Sequence, residues 1–185
     1  AGQTNISTPL FFQSPTQLRA RAYNGSTGEW SALNEALFTI DSEPPTGRNL
    51  VIAELHYHPA EPSSSEELAI SSDRDDYEFI EILNIGSRNI DLTGARFDSG
   101  INFSFPEKTV LGKGERLLLL RNRAAFEARY GPLPTIQWFE YGGRLSNDGE
   151  RIILTGPSFQ PVIDITYNDR PPWPVSTDGE GRTLV

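Results

Sequence analysis

The chain has 185 residues, of which 37% are hydrophobic and 22% charged, with 16 Lys+Arg against 25 Asp+Glu for a formal charge of −9. That much apolar surface excludes a disordered chain. The acidic balance argues against nucleic acid as a partner, since phosphate neutralisation needs clustered Lys and Arg. No apolar run approaches the ~20 residues of a membrane span, so no membrane insertion is expected, and the lack of cysteine removes disulfides, thiol catalysis and Cys-ligated zinc.

Sixteen Gly and 14 Pro, scattered without a period, favour turns over long helices. Methionine is absent, which reads as a piece cut from a longer polypeptide. Residues 1–12 have neither a basic start nor a long apolar stretch, so any export signal is expected to lie outside this sequence.

Residues 1–40 read as the C-terminal fragment of a β-sandwich module. Leu18, Ala20 and Ala22 alternate with Arg19, Arg21 and Tyr23; Asn24 to Gly28 turns the chain; Trp30 and Ala36 to Ile40 return it. Forty residues do not readily support a core of their own, yet Phe11, Phe12, Leu18, Trp30, Leu37 and Phe38 need burial. Their unpaired edges invite a partner strand, either from the rest of the chain or from a second copy in a homodimer through residues 1–40. Residues 41–47 contain Pro44 and Pro45 with no apolar anchor and read as a linker.

From residue 48 to 185 the dominant period is two. Leu50 to Leu55, Tyr77 to Ile82, Ile101 to Phe105, Glu115 to Leu120, Ile136 to Phe139, Arg151 to Thr155 and Val162 to Tyr167 are the expected strands. Turn chemistry punctuates them at Asn84 to Arg88, Leu111 to Gly114, Asn147-Asp148-Gly149 and Thr155 to Pro157. One helix is predicted, capped by Asn122, running from Arg123 to Tyr130 and ended by Gly131 and Pro132. Many short strands with one short helix predict an all-β, immunoglobulin-like β-sandwich.

Candidate chemistry is sparse. His56 and His58, two apart on a strand, are placed to share a metal, but a strand-end pair before Pro59 accounts for them as well. Between Glu54 and Ile82 nine acids face one base, Arg74. The stretch Glu61 to Asp76 reads as a long acidic loop, a length usually reserved for functional or mobile segments. Asp73, Asp75 and Asp76, with Glu78 near them, offer hard oxygens for calcium, although the spacing is not that of an EF-hand loop. No other cofactor is implied. Glu78 and Glu81 fall on opposite faces of one strand, which disqualifies them as a glycosidase pair. There is no phosphate-cradling glycine loop or nucleophile elbow, and Lys113, Arg116, Arg121, Arg123 and Arg129 are interrupted by Glu115 and Glu127. The chain is not expected to be an enzyme.

Residues 48–185 resemble the lamin tail domain, an immunoglobulin-like module of nuclear lamins and of bacterial multidomain proteins. The resemblance is carried by Ile52–Pro59 (IAELHYHP), Asp76–Asn84 (DYEFIEILN), Ile90–Gly94 (IDLTG), Phe103–Pro106 (FSFP), Leu145–Glu150 (LSNDGE), Ile163–Tyr167 (IDITY), Trp173-Pro174 and Gly181–Leu184 (GRTL). Two departures stand out: Ala95 occupies a position that is usually aromatic, and the last strand is shorter than usual. Residues 1–40 are similar to the final strands of fibronectin-like or chitobiase-C-terminal-like modules, through Leu18–Tyr23 (LRARAY) and Trp30-Ser31-Ala32. Together the resemblances imply a non-catalytic binding or spacer module of a bacterial exported or cell-surface protein, with a protein or cell-surface polymer as partner. A calcium-stabilised adhesion module is the alternative. Lamina-like DNA binding is disfavoured by the charge.

Overall fold

The computed structural model describes residues 9–13, 16–133 and 135–185, with backbone only at Leu37. The first eight residues of the N-terminal segment and the burial expected of Leu37 therefore lie outside the described residues.

The N-terminal segment is a ribbon. Strands β1 (Thr16–Ala20) and β4 (Asn34–Phe38) pair antiparallel with Leu18 opposite Ala36, and the short β2 (Tyr23–Asn24) and β3 (Glu29–Trp30) form a second hairpin at its tip. Among the described residues, β1 and β4 pair only with each other. The burial expected here is not met by the ribbon itself. Phe11 is 89% exposed and Trp30 51%, while Tyr23, Leu33 and Phe38 are also exposed. A two-stranded ribbon has one layer and so nothing to bury its apolar side chains against. What contacts exist are local: the rings of Phe12 and Phe38 stack 5.0 Å apart, and Tyr23 lies 4.7 Å from Trp30.

The remainder is a sandwich built from β5 (Ser42–Glu43), β6 (Leu50–His56), β7 (Phe79–Asn84), β8 (Asn89–Asp91), β9 (Arg96–Ser99), β10 (Val110–Leu111), β11 (Arg116–Leu120), β12 (Gln137–Glu140), β13 (Gly149–Thr155) and β14 (Pro161–Asn168). Four strands form one sheet in the order β12-β11-β7-β6, and three form another in the order β14-β13-β9. A small third sheet, β10-β8-β5, accompanies them. All-β architecture is thus as predicted, with two short α-helices instead of one.

Ile80, Ile82, Leu117 and Leu119 of the four-stranded sheet share one core with Phe97, Ile152, Leu154 and Tyr167 of the other. The alternate residues Phe79, Leu118 and Leu120 form a second core with Phe126 of the helix α2 (Arg123–Tyr130). Burial on both faces explains why β11 reads as four consecutive leucines rather than as an alternation. The helix starts and stops as its sequence predicts: Asn122 accepts from the Ala125 N–H, and Gly131 takes φ 91° at the C-cap.

Three expectations change. The acidic stretch Glu61 to Asp76 is not a loop throughout, because α1 (Ser65–Ile70) and a 3₁₀ turn (Arg74–Tyr77) occupy it. The signal was present as a capping box: Ser64 Oγ accepts from Glu67 N, and the Glu67 carboxylate accepts from Ser63 and Ser64 N–H at 2.9 and 3.0 Å. The alternating run Ile101 to Phe105 is not a regular strand. It folds back in isolated bridges, Arg96 to Ser104 and Asn102 to Gly142, while Ile101 and Phe105 still enter the core. The proline-rich stretch expected as a linker begins inside the sandwich, since Ser42 and Glu43 pair parallel with Asn89 and Ile90 and the Asn49 amide donates to Glu43 and Pro44.

Candidate functional site

The side chains singled out by sequence are brought to different places. Asp73 caps its own 3₁₀ turn, its Oδ1 accepting from Asp75 N at 3.0 Å. Asp75 is buried, with Oδ2 3.2 Å from Arg144 Nη1 and Oδ1 3.4 Å from Asn147 Nδ2. Asp76 is half-buried one residue on. Among the described residues no three His, Asp or Glu side chains come together as a metal-binding set, so Asp73, Asp75 and Asp76 do not converge on one point.

The two histidines part company as well. His56 is buried against Phe79 and Tyr130, with ring centroids 5.3 and 6.3 Å away. Neither of its nitrogens makes a hydrogen bond of normal geometry, the Arg182 backbone lying close enough only to favour the charged ring weakly. Burial, reinforced by the Arg129 charge, pushes its pKa down to about 4. His58 instead sits in a chain of charges. Its Nδ1 lies 2.5 Å from Asp178 Oδ1, its Nε2 lies 2.8 Å from Arg74 Nη1, and Arg74 also pairs with Glu61. Arg can only donate, so Nε2 is the acceptor and Nδ1 carries the proton given to Asp178. The Asp–His half of a hydrolytic triad is therefore present, but the nitrogen that would activate a nucleophile is taken by a guanidinium.

Glu78 and Glu81 do face opposite ways. Glu81 lies on the outer face of the sheet and pairs with Arg116. Glu78 points into the fold, where its Oε2 accepts from Tyr141 OH and Leu145 N, both at 2.9 Å. Burial, opposed in part by those two hydrogen bonds, pushes its pKa up to about 8. Sequence reasoning placed Glu78 near a surface acidic loop and missed that it is a sealed carboxyl, because the direction of a side chain at the residue before a strand depends on how the turn meets the sheet.

A groove of about 620 Å³ lies on the outer face of the four-stranded sheet, between the end of α2 and the C-terminal segment. Phe79 and Leu118 form its floor; Glu54 and Glu81, opposite each other on β6 and β7, add two carboxylates. Both are engaged, Glu54 by the Thr183 hydroxyl at 2.5 Å and Glu81 by Arg116. Tyr130, Arg182 and Thr183 are the other polar side chains of its lining. The basic residues do not form a patch: Arg116, Arg123 and Arg129 pair with Glu81, Glu127 and Glu67, respectively.

The sandwich topology and these placements agree with a match in sequence: the pattern of the Lamin Tail Domain family covers residues 43–169. The chain belongs to the lamin tail domain family. This is a family of immunoglobulin-like, non-enzymatic modules. No curated protein is similar enough to the chain to count as a match. Within the lamin tail domain, β5 stands at the start of the matched region, consistent with its place in the β10-β8-β5 sheet. Ala95 is fully buried, and Phe97 two residues later lies in the same core.

Proposed function

We propose that this lamin tail domain is a non-catalytic binding and spacing module of a larger bacterial protein that is exported or displayed at the cell surface. The observation that carries the reading is the contrast between its two parts. In the sandwich, the ionisable side chains that sequence would offer for catalysis are tied to one another or sealed from solvent, as His58, Asp75, Glu81, His56 and Glu78 illustrate. The ribbon, in contrast, keeps Tyr23, Trp30 and Phe38 exposed, and among the described residues its β1–β4 sheet has no third strand. Open edges with apolar side chains recruit further strands. A module in series with other β modules supplies them, and the partner recognised is a protein chain.

Chymotryptic digestion of this chain alone and within the longer polypeptide tests the spacing role, read at Tyr23, Trp30 and Phe38. The expected result is rapid cutting in the isolated chain and protection in the longer one; equal cutting in both overturns the reading. Light scattering across a concentration series separates a neighbouring module from a second copy, because only the latter gives a dimer. Labelling of intact cells with a membrane-impermeant reagent tests the location, and labelling that requires lysis removes export.

A further inference from the structure

Asn24 is the one asparagine of the chain that precedes a glycine. It ends β2 at the tip of the N-terminal ribbon, and it and the turn that follows are exposed. Its side chain is folded back over the next peptide bond, because Oδ1 accepts from Ser26 N at 3.0 Å. That hydrogen bond draws electron density away from the side-chain carbon Cγ. Among the described residues, neither Asn24 Nδ2 nor the Gly25 N–H donates to any group. A Cβ built on Gly25 would meet nothing within 4 Å, so this peptide has room to rotate and no side chain to shield its nitrogen. The other asparagines precede Ile, Leu, Phe, Arg, Asp or Glu, and Asn49 and Asn84 are buried with their Nδ2 groups hydrogen-bonded.

We propose that Asn24 is a self-modification site at which the side-chain amide is exchanged for a carboxylate by attack of the Gly25 nitrogen. The Gly25 nitrogen loses its proton to solvent base and bonds to Asn24 Cγ. The Cγ–Nδ2 bond then breaks, Nδ2 leaves as ammonia, and a five-membered cyclic imide remains. Water adds to either imide carbonyl and opens the ring, leaving an aspartate or an isoaspartate at position 24. Water is consumed and ammonia released, with no change of oxidation state. The change falls where the ribbon tip is held. Asn24 is opposite Glu29 in the β2–β3 pair, so either product sets a carboxylate against Glu29 in a strand of two residues. In the isoaspartate the backbone also gains a methylene, which breaks the register. Tyr23 lies 4.7 Å from Trp30, and the Arg21 guanidinium sits 4.4 Å over the same ring, through that register. Asn24 is thus a one-way switch that opens the aromatic tip as the chain ages. The chemistry is independent of the binding and spacing role proposed above, and its readouts need no partner.

The experiment incubates the folded full chain at pH 8 in ¹⁸O-enriched water, for the wild type and Gly25→Ala, with mass-spectrometric peptide mapping and an isoaspartyl methyltransferase assay. Gly25→Ala places its methyl group in open space and is expected to fold. The expected result is that ¹⁸O enters at position 24 before any other asparagine position, that isoaspartate appears there, and that both signals are lost over the same incubation in Gly25→Ala. Hydrogen exchange at Gly28 and Ser31, whose amides donate to Asn24 O and Ala22 O across the tip, should be faster in the modified chain. Label spread evenly over the asparagines, label reaching Asn24 only in urea, or equal labelling in Gly25→Ala overturns the site. Protection of Gly28 and Ser31 that survives modification overturns the switch.

Discussion

The Arg129 guanidinium of α2 reaches the Glu67 carboxylate of α1 at 2.5 Å while lying 3.9 Å over the Tyr77 ring. This one side chain binds a six-residue helix, too short to persist alone, to the helix that covers the sheet. Tyr77 completes the junction, its hydroxyl donating to Glu67 O at 2.9 Å from a fully buried position. Two backbone N–H groups, from Ser64 and Ser63, together with Arg129 hold Glu67 down to a pKa of about 2. Glu67→Gln should cost about 1–3 kcal/mol and lower Tm by roughly 3–8 °C. A depressed carboxylate stabilises above its unfolded pKa and loses that contribution as pH falls through the folded one. The wild type should therefore lose stability between about pH 4.5 and 2 in part through Glu67. Chemical denaturation across that range should show a shallower acid loss in Glu67→Gln.

His56 loses stability in the same direction as Glu67, although here it is the neutral ring that the fold favours. Its folded pKa of about 4 lies below the ordinary 6.5, so the unfolded chain takes up a proton first and stability falls as pH drops from 6.5 to 4. His56→Phe, packed against Phe79 and Tyr130, should remove that slope. The expected difference between pH 7 and pH 4 is on the order of 2–3 kcal/mol, and a variant retaining the full slope would place the titrating group elsewhere.

Glu78, raised to about 8, binds its proton more tightly in the folded state. Its contribution is largest below its unfolded pKa near 4.5 and is lost as pH rises through 8. Glu78→Gln should therefore gain stability relative to the wild type at pH 8.5 and little at pH 4.5, measured by urea denaturation.

Asn84 organises the turn region between the sheets. Its Nδ2 faces the carbonyls of Arg88, Leu111 and Gly112 at 2.8 to 3.0 Å, and its Oδ1 accepts from Gly86 N at 2.9 Å. Asn84→Ala leaves those buried groups without partners and should cost about 2–3 kcal/mol. Asn84→Asp should be worse at neutral pH, because a carboxylate would meet three carbonyls, and should recover partly in acid. Melting curves at pH 7 and pH 4 distinguish the two variants.

The sandwich itself was legible in the sequence. Period-two strands, the turn at Asn147-Asp148-Gly149 and the Asn122-to-Gly131 helix are local signals, and each depends on φ, ψ and hydrogen bonds within a few residues. Helix α1 was equally local but hidden, since the Ser64–Glu67 capping box was read as part of an acidic run.

Amino-acid order alone determined that residues 48–185 alternate apolar and polar positions, reverse at Gly and Asn, and leave β11 apolar on both sides, because these are properties of a chain's own period and backbone preferences. Only the tertiary structure decided that Glu78 is sealed inside, that His58 spends both nitrogens on Asp178 and Arg74, and that Glu67 finds Arg129 sixty-two positions away. Those outcomes follow from which sheet face packs and which loops meet, and desolvation and charge pairing act on distances that sequence spacing does not encode.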